Sequence, residues 1–154
     1  MDLTMTSYRP DVLVIQCGAD SLSKDKLGHL NLSIKGHSKC VNHMLEFGVP
    51  TVMLGGGGYT IENTSRCWAY ETATAIGTDI EKEIPQKDSY YNLYENDGYK
   101  LVFDVEERKN ENSPEYLNNI VETIRENLRN ADMRPSVAFH YAPKHFLPQE
   151  EHDW

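Results

Sequence analysis

Two short apolar runs within the first 54 residues predict neighbouring β-strands. The first is Asp11–Gln16, bounded by Pro10 and Gly18, and the second is Pro50–Leu54, which ends at four glycines. Runs of this length without polar alternation are typical of parallel strands that are covered on both faces. We therefore expect both strands to be buried in an α/β fold.

Helical spacing of apolar residues predicts one helix between the strands and another after the glycines. The first spans Gly36–Phe47 and ends at Gly48, and the second spans Thr60–Ile76 with Gly77 as its C-cap. The predicted apolar faces consist of Cys40, Val41, Met44 and Leu45 in the first helix, and of Ile61, Ser65, Trp68, Thr72 and Ala75 in the second. Strand, helix and strand form a βαβ unit, so the strands should run parallel.

The second half of the chain carries one well-marked helix. Ser113 as N-cap and Pro114 at the first helical position begin it, and it runs to Arg129. Its apolar stripe consists of Leu117, Ile120, Val121, Ile124 and Leu128. Residues 78–112 are expected to be irregular, apart from one short strand at Tyr99–Phe103. We divide the chain into a folded part, residues 1–131, and an acidic tail with little structure of its own, residues 132–154.

Composition narrows the function mainly by exclusion. The net charge is −9 and most of the excess lies in the second half, which argues against a basic nucleic-acid-binding face. Cys17, Cys40 and Cys67 form no CxxC pair, which fits a reducing compartment. No apolar run reaches the roughly 18 residues of a membrane helix, and no signal peptide is visible. We expect neither nucleic acid nor membrane as a direct partner.

Polar side chains follow both predicted strands. Asp20 comes after the first strand, and Tyr59 comes after the second, directly beyond the glycine run Gly55–Gly58. Parallel strands would project both side chains from one edge of the sheet, where ligands bind in open α/β sheets. Asp20 would be a turn residue, a metal ligand or a general base. The glycines would form a tight turn or a backbone that another group approaches closely, since the phosphate-binding patterns GxxxxGK[ST] and GxGxxG are absent.

Five ordered motifs resemble the class I histone deacetylases. They are Gln16–Leu22, the single residue Asp25, Leu30–His37, Leu54–Thr60 and Arg66–Thr72. The resemblance is dense from Tyr8 to Ala75, weaker through Arg129 and absent from the tail. It implies the C-terminal part of an arginase/deacetylase-type α/β fold, with a mainly parallel sheet flanked by helices.

The resemblance also implies a site chemistry. It implies a Zn²⁺ ion held by two aspartates and a histidine, with Asp20 as the last of those aspartates in chain order. The Tyr59 hydroxyl would donate a hydrogen bond to the acetyl carbonyl oxygen. The residues implied for the acetyl-lysine channel are Gly56, Gly57, Gly58 and, at its mouth, Leu27.

The implied activity is hydrolysis of the acetyl-lysine amide by metal-activated water, in transcriptional repression. The implied partners are acetylated histone tails and subunits of corepressor complexes, and the implied compartment is the nucleus, with the cytoplasm as the alternative. Two other interpretations stay open. One is a hydrolase of acetylated polyamines or other small amides, and the other is a catalytically inactive interaction module that binds through the 113–129 helix or the acidic second half.

The sequence departs from the family pattern in two ways. The family's His-His general base and its Asp-x-His zinc ligands do not occur in the 154 residues. One carboxylate cannot hold catalytic zinc, which needs about three protein ligands. We therefore expect a C-terminal portion that is inactive alone and leaves sheet edges and one apolar face uncovered. At the family's inositol phosphate site Lys26 keeps the positive charge, but Glu62 reverses it and would repel phosphate.

Overall fold

A computed structural model describes residues 1–130 of the chain. Its two strands, β1 (Leu13–Gln16) and β2 (Thr51–Leu54), pair in parallel, with Leu13 opposite Thr51 and Gln16 opposite Leu54. Four helices accompany them: α1 (Asp2–Tyr8), α2 (Ile34–Leu45), α3 (Ile61–Ala75) and α4 (Pro114–Asn130). The predicted α/β class and parallel pairing are confirmed. The predicted tail, residues 132–154, lies outside the described residues.

Only one face of the two-stranded sheet is covered within residues 1–130. Ile15 and Met53 point to the covered face and are half-buried. Val14 is 67% exposed, and Val52 and Leu54 on the same face are also exposed. The expectation of strands buried on both faces is wrong for this part of the chain, and that of an uncovered apolar face is confirmed. An apolar run indicates that both faces of a strand need to be packed against other residues, but it does not show which residues pack there.

Helix α2 begins two residues before the predicted start because Ser33 caps it. The Ser33 hydroxyl accepts a hydrogen bond from the N–H of Gly36 at 3.0 Å. The helix buries Ile34, Ser38 and Val41 but exposes Cys40. The predicted apolar face is right for Val41, which is buried, and for Met44 and Leu45, which are half-buried, and it is wrong for Cys40.

Helix α3 has its predicted bounds to within a residue, but its predicted apolar stripe is wrong. Ile61 in that stripe is 75% exposed. The buried side chains are mostly polar or charged, namely Asn63, Thr64, Arg66, Cys67, Glu71 and Ala73. Hydrophobic spacing could not identify this face, because its buried groups are stabilised by hydrogen bonds.

The core lies where the peptide after β1 meets α2 and α3. It consists of Ala19, Leu22, Ile34, Cys67 and Phe103, with Tyr70 and Val102 packed against it. Ala19 belongs to a 3₁₀ turn, Ala19–Ser21, that directly follows β1. The core thus holds the chain on either side of Asp20.

Residues 78–112 contain a 3₁₀ helix, Tyr91–Asp97, and no regular strand. The predicted strand at Tyr99–Phe103 is reduced to one antiparallel bridge between Lys100 and Glu83. Tyr99 has a φ of 59°, in the left-handed region, which interrupts an extended strand.

The buried guanidinium of Arg66 ties this irregular segment to α3. It donates to the carbonyl of Lys100 at 3.0 Å and to Asp97 Oδ2 at 2.8 Å. Its carbon also lies 4.7 Å from the centre of the Phe103 ring. One charged side chain therefore holds a segment that has little regular secondary structure.

Helix α4 begins as predicted, because the Ser113 hydroxyl accepts the N–H of Tyr116 at 3.1 Å. Its apolar stripe lies largely in solvent, with Leu117, Ile120, Val121 and Ile124 all exposed. Helix α1 was not predicted from the sequence, since it has seven residues and buries only Met5. No helix within residues 1–130 is both long and apolar enough to cross a membrane.

Candidate active site

The carboxyl ends of β1 and β2 bring Asp20 onto the glycine run, as the parallel pairing predicted. The N–H of Ala19 donates to the carbonyl of Gly57 at 2.6 Å. A Cβ atom on Gly57 would lie 2.1 Å from Asp20 Oδ2, so the carboxylate packs directly on that glycine. Asp20 itself is half-buried in the 3₁₀ turn after β1.

The neighbouring glycines also pack against side chains of this chain. A Cβ on Gly56 would lie 2.2 Å from Gln16 Nε2, and one on Gly58 would lie 2.4 Å from Thr64 Oγ1. Gly58 additionally has a φ of 145°, which L-residues rarely adopt. Internal packing is therefore one reason for the glycine run, and a substrate channel along Gly56, Gly57 and Gly58 stays a prediction.

Tyr59 follows the glycines and is 46% exposed. Leu27, the residue predicted for the channel mouth, is 64% exposed, and Lys26 beside it is also exposed. Glu62 is half-buried in the first turn of α3, where a carboxylate interacts favourably with the helix dipole. This position gives Glu62 a structural role that a basic residue could not fill equally well.

Asp25 connects the loop after Asp20 to the loop after the glycines. Its Oδ1 accepts the N–H groups of Leu27 and Gly28 at 2.9 and 2.7 Å. Its Oδ2 accepts the N–H of Tyr59 at 2.8 Å. Burial raises the pKa of Asp25, but the backbone donors, Gly28 and Tyr59 first among them, outweigh burial and lower it overall. The sequence predicted no role for Asp25 beyond the family resemblance, although an Asp before a glycine-containing turn is a signal for such bonding.

A buried group of side chains lies behind this edge. The ligand atoms of His37, Cys67 and Glu71 all lie within 4.8 Å of one another. His37 Nδ1 pairs with Glu71 Oε1, and His37 Nε2 donates to the carbonyl of Gly18 at 3.0 Å. Because an ionised carboxylate and a carbonyl only accept, both ring nitrogens must carry protons. Hydrogen bonds to Cys67 and Glu71 raise the pKa of His37 to about 10.

In this arrangement the buried group is an ion pair between His37 and Glu71. A protonated imidazole has no lone pair to offer a metal ion. Within residues 1–130 no other set of three or more His, Cys, Asp or Glu side chains lies close enough to share an ion, and Asp20 belongs to none. The described residues thus give Asp20 as a single donor and do not by themselves fit a catalytic zinc ion.

Two side chains from α2 and α3 hold the peptide that leads to Asp20. Trp68 Nε1 donates to the carbonyl of Cys17 at 2.7 Å, next to the bond from His37 to Gly18. Both donors lie in motifs that carry the family resemblance, but the sequence predicted Trp68 only as part of an apolar helix face and predicted no role for His37. This contact explains why the polar side chain of Glu71 is buried on α3, since Glu71 fixes the orientation of His37.

Residues 1–75 match the family described as "Histone deacetylase domain". The chain is 45% identical over 144 residues to histone deacetylase 1 of Homo sapiens, a match that covers 94% of this chain and 30% of that protein. It is 43% identical over 139 residues to type-1 histone deacetylase 1 of Dictyostelium discoideum, covering 90% of this chain and 28% of that protein.

The extent of these matches adds two facts. The chain spans about 30% of the length of the human relative. A match over 144 of the 154 residues must also extend into residues 132–154, so the expectation that the resemblance is absent from the tail is wrong.

Proposed function

Since the chain belongs to the histone deacetylase family, we propose that it is the segment of a zinc-dependent protein-lysine deacetylase that supplies Asp20 and Tyr59 to the active site. The observation that carries this proposal is the sheet edge at which the Asp20 carboxylate packs on Gly57, two residues before Tyr59. The motifs around both residues are those of the class I branch. Residues 1–131 would belong to the deacetylase domain and residues 132–154 would form an acidic tail.

In this proposal Asp20 holds negative charge at the open edge as one metal ligand, and the other donors lie outside residues 1–130. The Tyr59 hydroxyl donates a hydrogen bond to the carbonyl oxygen of acetyl-lysine as negative charge develops there. A single preorganised donor of this kind lowers a barrier by about 3 kcal/mol. Zinc held by Asp20 together with donors from outside residues 1–130 would supply an activated water and polarise the amide.

We further propose acetylated histone tails as the substrates, corepressor subunits as partners and the nucleus as the compartment. The family of the two relatives described above supports these assignments only in general terms. Binding of an inositol phosphate at Lys26 would be weakened, because Glu62 stands where the family has a basic residue.

The test is a chimera in which residues 8–75 replace the matching segment of human histone deacetylase 1. We expect deacetylation of an acetylated histone peptide, and a loss of roughly 10²–10³ in kcat for Tyr59→Phe. Asp20→Asn should lose bound zinc, and Tyr8→Phe is the control that removes an exposed phenol elsewhere.

Three outcomes would contradict the proposal or move it to an alternative. A folded, zinc-loaded chimera that is inactive on histone peptides would contradict it. Activity on acetylated polyamines alone would favour the small-amide hydrolase. An interaction module is the second candidate because the apolar stripe of α4 is exposed, and it gains if the folded, zinc-loaded chimera is inactive on both kinds of substrate.

A further inference from the structure

We propose that Asp25 is the positioning residue of this site, because its one carboxylate joins the loop that carries Leu27 to the loop that carries Tyr59. The inference rests on the proposed function for the roles of Leu27 and Tyr59. The hydrogen bonds themselves can be tested without it.

The carboxylate of Asp25 first organises the loop that contains it. Asp25 Oδ1 accepts both the Leu27 and the Gly28 N–H groups, which closes residues 25–28 into a turn. Lys24 before it has a φ of 64°, a left-handed conformation that a lysine adopts only when its surroundings hold it there. The turn leaves Leu27 projecting into solvent at the predicted channel mouth.

The same carboxylate also joins this turn to the glycine loop. Asp25 Oδ2 accepts the N–H of Tyr59 at 2.8 Å, across 34 residues of sequence. A second bond joins the same two loops, since Thr60 Oγ1 donates to the carbonyl of Lys24 at 2.8 Å. Two hydrogen bonds, one from the Tyr59 backbone and one from the Thr60 side chain, therefore attach the glycine loop to the segment of Asp25.

The turn that Asp25 closes also contacts the backbone of Asp20. A Cβ on Gly28 would lie 1.7 Å from the carbonyl oxygen of Asp20, so the Asp25 turn lies directly on the Asp20 backbone. One carboxylate thus fixes the turn that contacts Asp20, presents Leu27 and anchors Tyr59. Asp25 can therefore determine how Asp20, Leu27 and Tyr59 are placed without touching the substrate.

The energetics favour an ionised Asp25. All three partners are backbone N–H donors, and bonds to a charged acceptor are about twice as strong as neutral ones. The lowered pKa of Asp25 agrees with this, so the arrangement persists at neutral pH. Reacting groups displaced by about 1 Å can lose roughly a hundredfold in rate, which gives such a residue a catalytic consequence.

The test is hydrogen exchange of the purified chain, read by mass spectrometry at single-residue resolution and micromolar concentration. Asn in Asp25→Asn offers one acceptor oxygen, so it can keep the turn but presents an N–H₂ group to the Tyr59 N–H. Ser in Asp25→Ser reaches the turn but is too short to reach Tyr59. Asp104→Asn removes the same charge from a side chain that is almost fully exposed, and it serves as the control.

We expect the Tyr59 amide to exchange at least about tenfold faster in both Asp25 variants than in Asp104→Asn. Protection in α3, at Cys67 for example, should stay unchanged. Tyr59 exchange within about twofold of the control would overturn the inference. So would an unprotected Tyr59 amide in the unaltered chain, or loss of protection throughout α3 in both variants, which would mean a general role in folding.

These outcomes separate the inference from the proposed function. Selective loss at Tyr59 beside an inactive chimera would refute the deacetylase role and keep the Asp25 link. Unchanged exchange beside an active chimera would refute only the link.

Discussion

At the end of β1 and β2 a carboxylate and a glycine backbone occupy adjoining space. Asp20 packs on Gly57, and the same edge is held from behind by Trp68 and His37 through the carbonyls of Cys17 and Gly18. The direction of the Asp20 carboxylate is therefore set by neighbours on three segments of the chain. A small change at any of these neighbours should alter the direction of the Asp20 carboxylate.

Replacing Gly57 with alanine should displace Asp20, because the new Cβ would lie 2.1 Å from its Oδ2. We expect a loss of about 1–3 kcal/mol in the free energy of unfolding, measured by urea denaturation. Gly36→Ala is the matched control, since its Cβ would meet only the Ser33 hydroxyl, at 3.2 Å. Equal stability of the two variants would show that the carboxylate is not held against Gly57.

At the residue scale the sequence predicted which residues approach each other but not what secures them. Asp20 and the glycines could be placed at one edge because parallel strands share a direction. The bonds from Asp25 to Tyr59 and from His37 to Gly18 could not, because they join residues more than 15 positions apart through backbone atoms that every residue carries. Only the folded chain brings such partners together.

Between the elements, the buried His37–Glu71 pair joins α2 to α3, together with a hydrogen bond between the Ser38 and Thr74 hydroxyls. Removing one partner leaves the other charge buried, so His37→Gln and Glu71→Gln should each cost about 3–5 kcal/mol in the free energy of unfolding. The double variant is neutral and can keep a bond to Gly18, so its loss should be well below the sum of the two. Additive losses in this double-mutant cycle would contradict a direct pair.

The same pair should make stability fall at alkaline pH. The pKa of His37 is raised from 6.5 to about 10, so its contribution is complete below pH 6.5 and is lost as the pH rises through 10. Cys17, raised from 9.0 to about 11, adds to this loss only above pH 9. The urea midpoint should therefore fall between pH 7 and 9, and the His37→Gln/Glu71→Gln variant should lack that fall. A midpoint independent of pH in this window would argue against a charged His37.

At the element scale the predictions succeeded where local signals decide. Ser113 and Pro114 began α4 and Gly77 followed α3, because capping depends on residues next to each other. The buried face of α3 was wrong because Arg66 and Glu71 are buried through distant partners. Helix α1 was missed because seven residues carry too little periodicity.

For the whole molecule, the uncovered sheet face is expected to determine whether the chain self-associates in solution. Val14, Val52 and Leu54 form an exposed apolar surface within residues 1–130, and strand edges beside it can pair with other chains. We expect the isolated chain to bind a hydrophobic dye and to self-associate, as followed by light scattering. Val14→Thr should reduce both, whereas Ile15→Thr on the covered face should destabilise the fold. A monomeric chain with a cooperative melt and no dye binding would contradict this expectation.

A calorimetric zinc titration of the chain, beside Asp20→Asn and His37→Gln, tests directly whether the other zinc donors lie outside residues 1–130. Because Asp20 is proposed as one ligand among such donors, and because His37 is engaged in an ion pair, we expect no stoichiometric, tight zinc binding in any of the three. Tight binding that Asp20→Asn abolishes would mean that this chain completes the site itself, and binding that His37→Gln abolishes would mean that the buried group is a metal site.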